Sequence, residues 1–131
     1  MFEEFKQKFP ALFEKLDYMN VPEGWKDLVN DLCMDIIKCE TLYQVPQYEP
    51  VVFSQVKEKY GGLRVYYEGG FINDEPVYPI LYTIRKYENM SLKTCSICGT
   101  KDNSKLQAIR GWILTCCADC FQTKSTLKPH R

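Results

Sequence analysis

The sequence predicts an α+β protein in which helices pack on a small antiparallel hairpin, followed by a four-cysteine module at the C-terminus. Three observations predict it. Apolar residues recur at steps of three and four over 24–43, two strand-like runs flank Gly61-Gly62, and four of the seven cysteines form two Cys-x-x-Cys pairs. The 131 residues suffice for one domain with a small appendage. With 45% hydrophobic and 26% charged residues, disordered and collagen-like chains are excluded. Every apolar run falls far short of the roughly eighteen residues of a membrane span. The acidic, amphipathic start Met-Phe-Glu-Glu-Phe is unlike a cationic secretion signal.

Residues 2–17 read as helical, with Phe2, Phe5, Phe9, Leu12, Phe13 and Leu16 on one stripe. Pro10 lacks an amide donor and pushes Phe9 away from the α region, which predicts a kink or break there. Residues 24–43 give the clearest helix, with Trp25, Leu28, Val29, Leu32, Ile36, Cys39 and Tyr43 facing inward. Cys33 and Cys39 point in different directions and read as buried, inert thiols. Pro46 and Pro50 make 44–50 an extended or turning connector.

The hairpin is expected over about 51–68. With both glycines at the turn centre, Tyr60 would face Leu63, Glu58 would face Val65 and Val56 would face Tyr67. That side is apolar apart from Glu58, the one carboxylate out of place and thus a candidate acid or base. Pairing with an arginine or lying at a sheet edge is its commoner fate. The opposite side pairs Lys59 with Arg64, Lys57 with Tyr66 and Gln55 with Glu68. Residues 69–79 form a polar Gly/Pro loop, and Pro79 then opens a third helix over 79–90, with Ile80, Leu81, Ile84 and Tyr87 inward. The body therefore comprises 1–91 and the module 92–131.

The zero net charge conceals an asymmetry. Residues 1–91 carry 10 basic and 15 acidic side chains, and residues 92–131 carry 7 and 2. Part of that basicity offsets the charge expected of thiolates around a divalent ion.

Cys95/Cys98 and Cys117/Cys120 stand eighteen residues apart, within the usual spacing of a four-thiolate zinc site. In a reducing cytoplasm, the cell's own or an infected host's, such pairs hold metal more readily than each other. Cys95-Ser-Ile-Cys98-Gly99 has the form of a knuckle, Trp112–Thr115 reads as a strand, and Cys117–Cys120 would open a helix whose dipole favours thiolate. Cys116 offers a competing Cys-x-x-x-Cys arrangement with Cys120. The matching two-residue gap favours Cys117, with Cys116 packed beside the site. Knuckle, hairpin and helix in that order resemble a treble-clef zinc finger. Trp112 and Phe121 are expected to seat the module on the body.

Four thiolates close the coordination shell, so one structural zinc is expected rather than a catalytic one. The only histidine is His130, and treble-clef nucleases of the His-Asn-His type need more. No Ser-His-Asp set or phosphate-binding glycine loop is present. The chain is expected not to be an enzyme.

Gly24-Trp25-x-x-Leu28-Val29-x-x-Leu32-Cys33, then Gln55 to Tyr67 with its Tyr60-Gly-Gly-Leu-Arg64 core, Cys95-x-x-Cys98-Gly99 and Gly111-Trp112-Ile-x-Thr115 together resemble small proteins encoded by bacteriophages and prophages, over most of 24–121. The resemblance implies origin and architecture rather than a reaction, and small phage proteins of this size commonly bind and redirect host proteins, defence nucleases among them. A host protein is thus the leading expected partner, met through exposed tyrosine or phenylalanine and the acidic body. Nucleic acid is the alternative. Lys57, Lys59, Arg64 and Tyr66 share one hairpin face, and Lys101, Lys105, Arg110, Lys124, Lys128 and Arg131 surround the module. No membrane partner is expected.

Overall fold

The computed structural model describes residues 1–126. The first helix, α1 (Phe2–Lys8), is shorter than the stripe predicts. It stops at Phe9, whose ψ of 62° leaves the helical region ahead of Pro10, and irregular turns carry Leu12, Phe13 and Leu16 into the core. The aromatic stripe survives without the helix: the Phe13 ring lies 6.0 Å from Phe5 and 5.2 Å, edge-on, from Phe53.

A short 3₁₀ turn (Glu23–Trp25) leads into α2 (Lys26–Glu40), which ends before the predicted 43. Its inward residues Leu28, Val29, Leu32, Cys33 and Ile36 are buried together with Trp25. Cys33 is fully enclosed, whereas Cys39 is only half-buried, so the inert reading of both thiols holds for burial at Cys33 alone.

The connector and the following loop hold more order than predicted. Strand β1 (Tyr48–Glu49) lies in the connector, and Phe71–Ile72 pairs with both β1 and Glu75–Pro76. Between them stand the main strands β2 (Val52–Lys59) and β3 (Gly62–Glu68), so the small strands are β4 and β5. The β4–β5 turn is Asn73-Asp74, with φ of 49° and 66°, the left-handed pair that a two-residue hairpin requires.

The β2–β3 register differs from expectation. Glu58 faces Leu63, Val56 faces Val65 and Lys57 faces Arg64, so Tyr60 and Gly61 form the turn, with φ of 51° and 84°. Gly62 is the first strand residue; a Cβ there would stand 3.1 Å from Leu92 Cδ2. Its φ is not positive, so the turn does not require glycine there. The slip is two residues in pairing, so each side chain keeps its predicted face. A bulge between Phe53 and Gln55 then turns Phe53 into the core.

Both edges of this two-stranded sheet are covered. Along β2, the Phe53 amide donates to Leu12 O at 2.8 Å, and the Glu58 amide to Asn20 O at 2.8 Å. On β3, the Leu63 amide donates to Ser91 Oγ and the Val65 amide to Glu88 Oε2. Ser91 and Glu88 belong to α3 (Tyr78–Ser91), with Pro79 in its first turn. Side chains of α3 thus satisfy donors that a third strand would otherwise take.

The C-terminal module follows: a knuckle at 95–99, strands β6 (Lys105–Ile109) and β7 (Trp112–Cys116), and α4 (Ala118–Thr126). This is an α+β fold with a treble-clef-like four-cysteine module. Among the described residues no helix is long and apolar enough to cross a membrane.

Candidate metal centre and the basic face

Local chain geometry aims the knuckle sulfur and the amides at each other. Gly99 takes φ of 82°, and its amide closes the turn onto Cys95 O at 2.9 Å. The amides of Ile97 and Cys98 then donate to Cys95 Sγ, each at 3.4 Å. The second pair repeats the motif at the start of α4, where the Cys120 amide donates to Cys117 Sγ at 3.4 Å. Amide donors of this kind stabilise thiolate over thiol.

The hairpin brings the halves together. All four Sγ atoms of Cys95, Cys98, Cys117 and Cys120 lie within 4.8 Å of one another, and Cys98 and Cys117 are 3.8 Å apart. A tetrahedron with metal–sulfur bonds near 2.3 Å has edges of about 3.8 Å, so the set fits an ion of that size. Among the described residues it is the one such ligand cluster. Cys95 and Cys117 are buried, Cys120 half-buried and Cys98 exposed, so the cluster opens to solvent at one corner.

Burial alone would raise the Cys95 thiol, but the amides of Cys98, Cys117 and Ile97 outweigh it and hold it at about 6. Burial and the neighbouring thiols push Cys120 up. A metal ion entering here displaces protons from the group as a whole. Cys116 stands outside the set: it is fully buried, and Gln107 Nε2 donates to its carbonyl at 3.1 Å. Half-buried Ile109, Leu114 and Phe121 pack around it and the cluster.

The seat of the module is not Trp112. That side chain is 71% exposed, because the Arg110-Gly111 turn lifts it to the tip of the β6–β7 hairpin. The seat is Gly24-Trp25 and the β2–β3 turn. Trp25 Nε1 donates to Thr94 O at 2.9 Å, the Gly24 amide donates to Ser96 O at 3.0 Å, and Thr115 Oγ1 donates to Gly61 O at 2.7 Å. A Cβ on Gly24 would lie 2.3 Å from Cys95 O. Backbone approach this close admits no side chain. Phe121 packs inside the module rather than against the body.

Lys57, Lys59, Arg64 and Tyr66 fall on the outer face of β2–β3, where Lys57 is half-buried and the others are exposed. Lys57 Nζ stands 5.9 Å from the Tyr66 ring centroid. Glu58 is not paired with an arginine: its Oε2 accepts the Gly61 amide at 2.8 Å and caps the turn. Lys101, Lys105, Arg110 and Lys124 are exposed on the module. His130, Lys128 and Arg131 lie outside the described residues.

The phenylalanines and tyrosines separate. The exposed aromatics are Tyr18, Tyr60, Tyr66, Tyr78, Tyr82 and Trp112, while every phenylalanine is buried or half-buried. Sequence reasoning missed further exposed apolar side chains, Met34 and Ile37 on α2 and Leu42 and Val45 just after it, of which Ile37 and Val45 line a cleft of about 360 Å³. Met34 and Ile37 sit off the inward stripe, and that three-residue step was their only signal. No protein-family model, no curated protein and no solved structure matches this chain.

Proposed function

We propose that this chain is a zinc-stabilised, non-enzymatic accessory protein of the phage type that binds a host protein through the outer end of α2. The four-thiolate cluster supports zinc as the resident ion: an all-sulfur tetrahedral set suits a borderline-soft ion, and a full shell leaves no position for substrate. Bound zinc cross-links knuckle and α4, contributing on the order of 10 kcal/mol to folding of the module. The ion is structural.

The observation that carries protein binding is the group of aliphatic side chains at the end of α2. Leu42 is 77% exposed, Met34, Ile37 and Val45 are exposed on the same stretch of chain, and Ile37 and Val45 line one cleft. Exposed Asp27 and Asp31 lie on the same helix towards its N-terminus. Apolar anchors near carboxylates suit a partner segment with apolar side chains and cationic flanks, such as the margin of a basic nucleic-acid channel on a host enzyme. Inhibition of such an enzyme follows if the segment borders its active site.

Affinity capture from host lysate tests this with the intact chain and with Leu42→Asp. The reading expects a protein retained by the former and lost with the latter, at unchanged far-UV circular dichroism. Capture indifferent to Leu42→Asp, or recovery of nucleic acid alone, contradicts it.

A further inference from the structure

The basic hairpin face lies away from α2 and has its own chemistry. Its outward positions are Gln55, Lys57, Lys59, Arg64, Tyr66 and Glu68, and the one carboxylate among them, Glu68 at the end of β3, is engaged by Lys15 Nζ at 2.5 Å. Cations and rings alternate there: Lys57 Nζ is 5.9 Å from the Tyr66 centroid, and Lys59 Nζ is 5.8 Å from that of Tyr60. Lys57 and Lys59 are two residues apart on one strand, hence about 7 Å apart along it. That repeat is comparable to the separation of successive phosphates in an extended single strand.

The surface continues around the β2 edge. Two clefts of about 320 Å³ each border that edge and share Asn20. One is lined by Tyr18, Gln55 and Lys57, the other by Gly61, Trp112 and Lys124. Each pairs an exposed ring with a lysine. Two carboxylates reach the clefts, Asp17 in the first and Glu58 in the second, and Glu58 is engaged by the Gly61 amide.

We propose that this path, from Tyr18 and Lys57 to Trp112 and Lys124, is a binding track for single-stranded nucleic acid. Lysines and Arg64 meet phosphates, while Tyr18, Tyr66 and Trp112 offer faces on which bases stack. Clefts of this size have room for an unpaired base, whereas the bases of a duplex are already stacked and would not use the exposed rings. An acidic peptide would use the cations but leave the ring faces without partners.

Fluorescence anisotropy with a labelled twelve-nucleotide oligo-dT and its oligo-rU equivalent tests the track on the full, zinc-loaded chain. Four phosphate contacts give a salt slope near −3, or about a fifty-fold loss between 50 and 200 mM salt. Lys57→Glu with Arg64→Glu, paired on the outer face, should abolish binding at 200 mM at unchanged far-UV circular dichroism. Trp112→Ala should weaken it about tenfold with the salt slope unchanged, the mark of lost stacking. Leu42→Asp should leave it intact, which separates this surface from the α2 site. Absent binding at 50 mM salt, equal affinity for a duplex of the same length, or equal competition by polyglutamate would overturn the proposal.

Discussion

The indole of Trp25 donates to the carbonyl of Thr94 at 2.9 Å, and through this bond the core of the body holds the strand of chain that enters the metal module. Trp25 is fully buried, so its N–H and the Thr94 carbonyl have no water to turn to. Trp25→Phe removes the donor and leaves a void beside Thr94. The expected loss is about 3 kcal/mol, read from denaturant midpoints. Trp112→Phe, at an exposed position, should change stability by less than about 0.5 kcal/mol.

The two glycines next to tryptophan differ in the same way. Gly24→Ala would place a methyl 2.3 Å from Cys95 O and must push the knuckle away from the body. Gly111→Ala meets nothing within 4 Å and bears only the strain of φ at 81°. The first should cost about 1–3 kcal/mol and accelerate zinc loss to a chelator; the second should cost about 1 kcal/mol and leave the off-rate alone. Chelator-competition kinetics separate them.

Glu58 makes a smaller prediction. Its carboxylate caps the Gly61 amide in the turn that Thr115 also holds. Glu58→Ala should cost about 1 kcal/mol and raise amide hydrogen exchange at Gly61, with no change in zinc content.

Cys33 supplies a pH test. Burial pushes its thiol from about 9 up to about 12. A folded-state pKa above the unfolded one means that the contribution is complete below pH 9 and is lost as pH rises towards 12. Unfolding midpoints should therefore fall over that window, and less steeply in Cys33→Val. Iodoacetamide at pH 8 should spare Cys33 in the native protein and label half-buried Cys39.

Much of this architecture is legible in local chemistry. Cysteine spacing marks the ligand set because two knuckles can be built only from short, fixed gaps. The inward stripe of α2 is legible because helical period and burial coincide from Trp25 to Ile36. The β2–β3 register is not, because Tyr60, a bulky non-glycine residue, takes the left-handed turn position beside Gly61, while Gly62 begins the strand. Trp112 misleads for another reason. A large apolar residue next to a metal motif reads as packing, but the seat was already filled by Gly24-Trp25 from the other end of the chain. Long-range complementarity of this kind leaves no periodic trace. The short β4–β5 hairpin hid behind its Asn-Asp turn, which reads as loop unless both residues are granted positive φ.

Zinc-edge X-ray absorption on the purified chain measures the central claim most directly. A single shell of four sulfurs near 2.3 Å, at one zinc per chain, is the predicted result. An oxygen or nitrogen neighbour in that shell, or a protein that folds fully without stoichiometric metal, would contradict it.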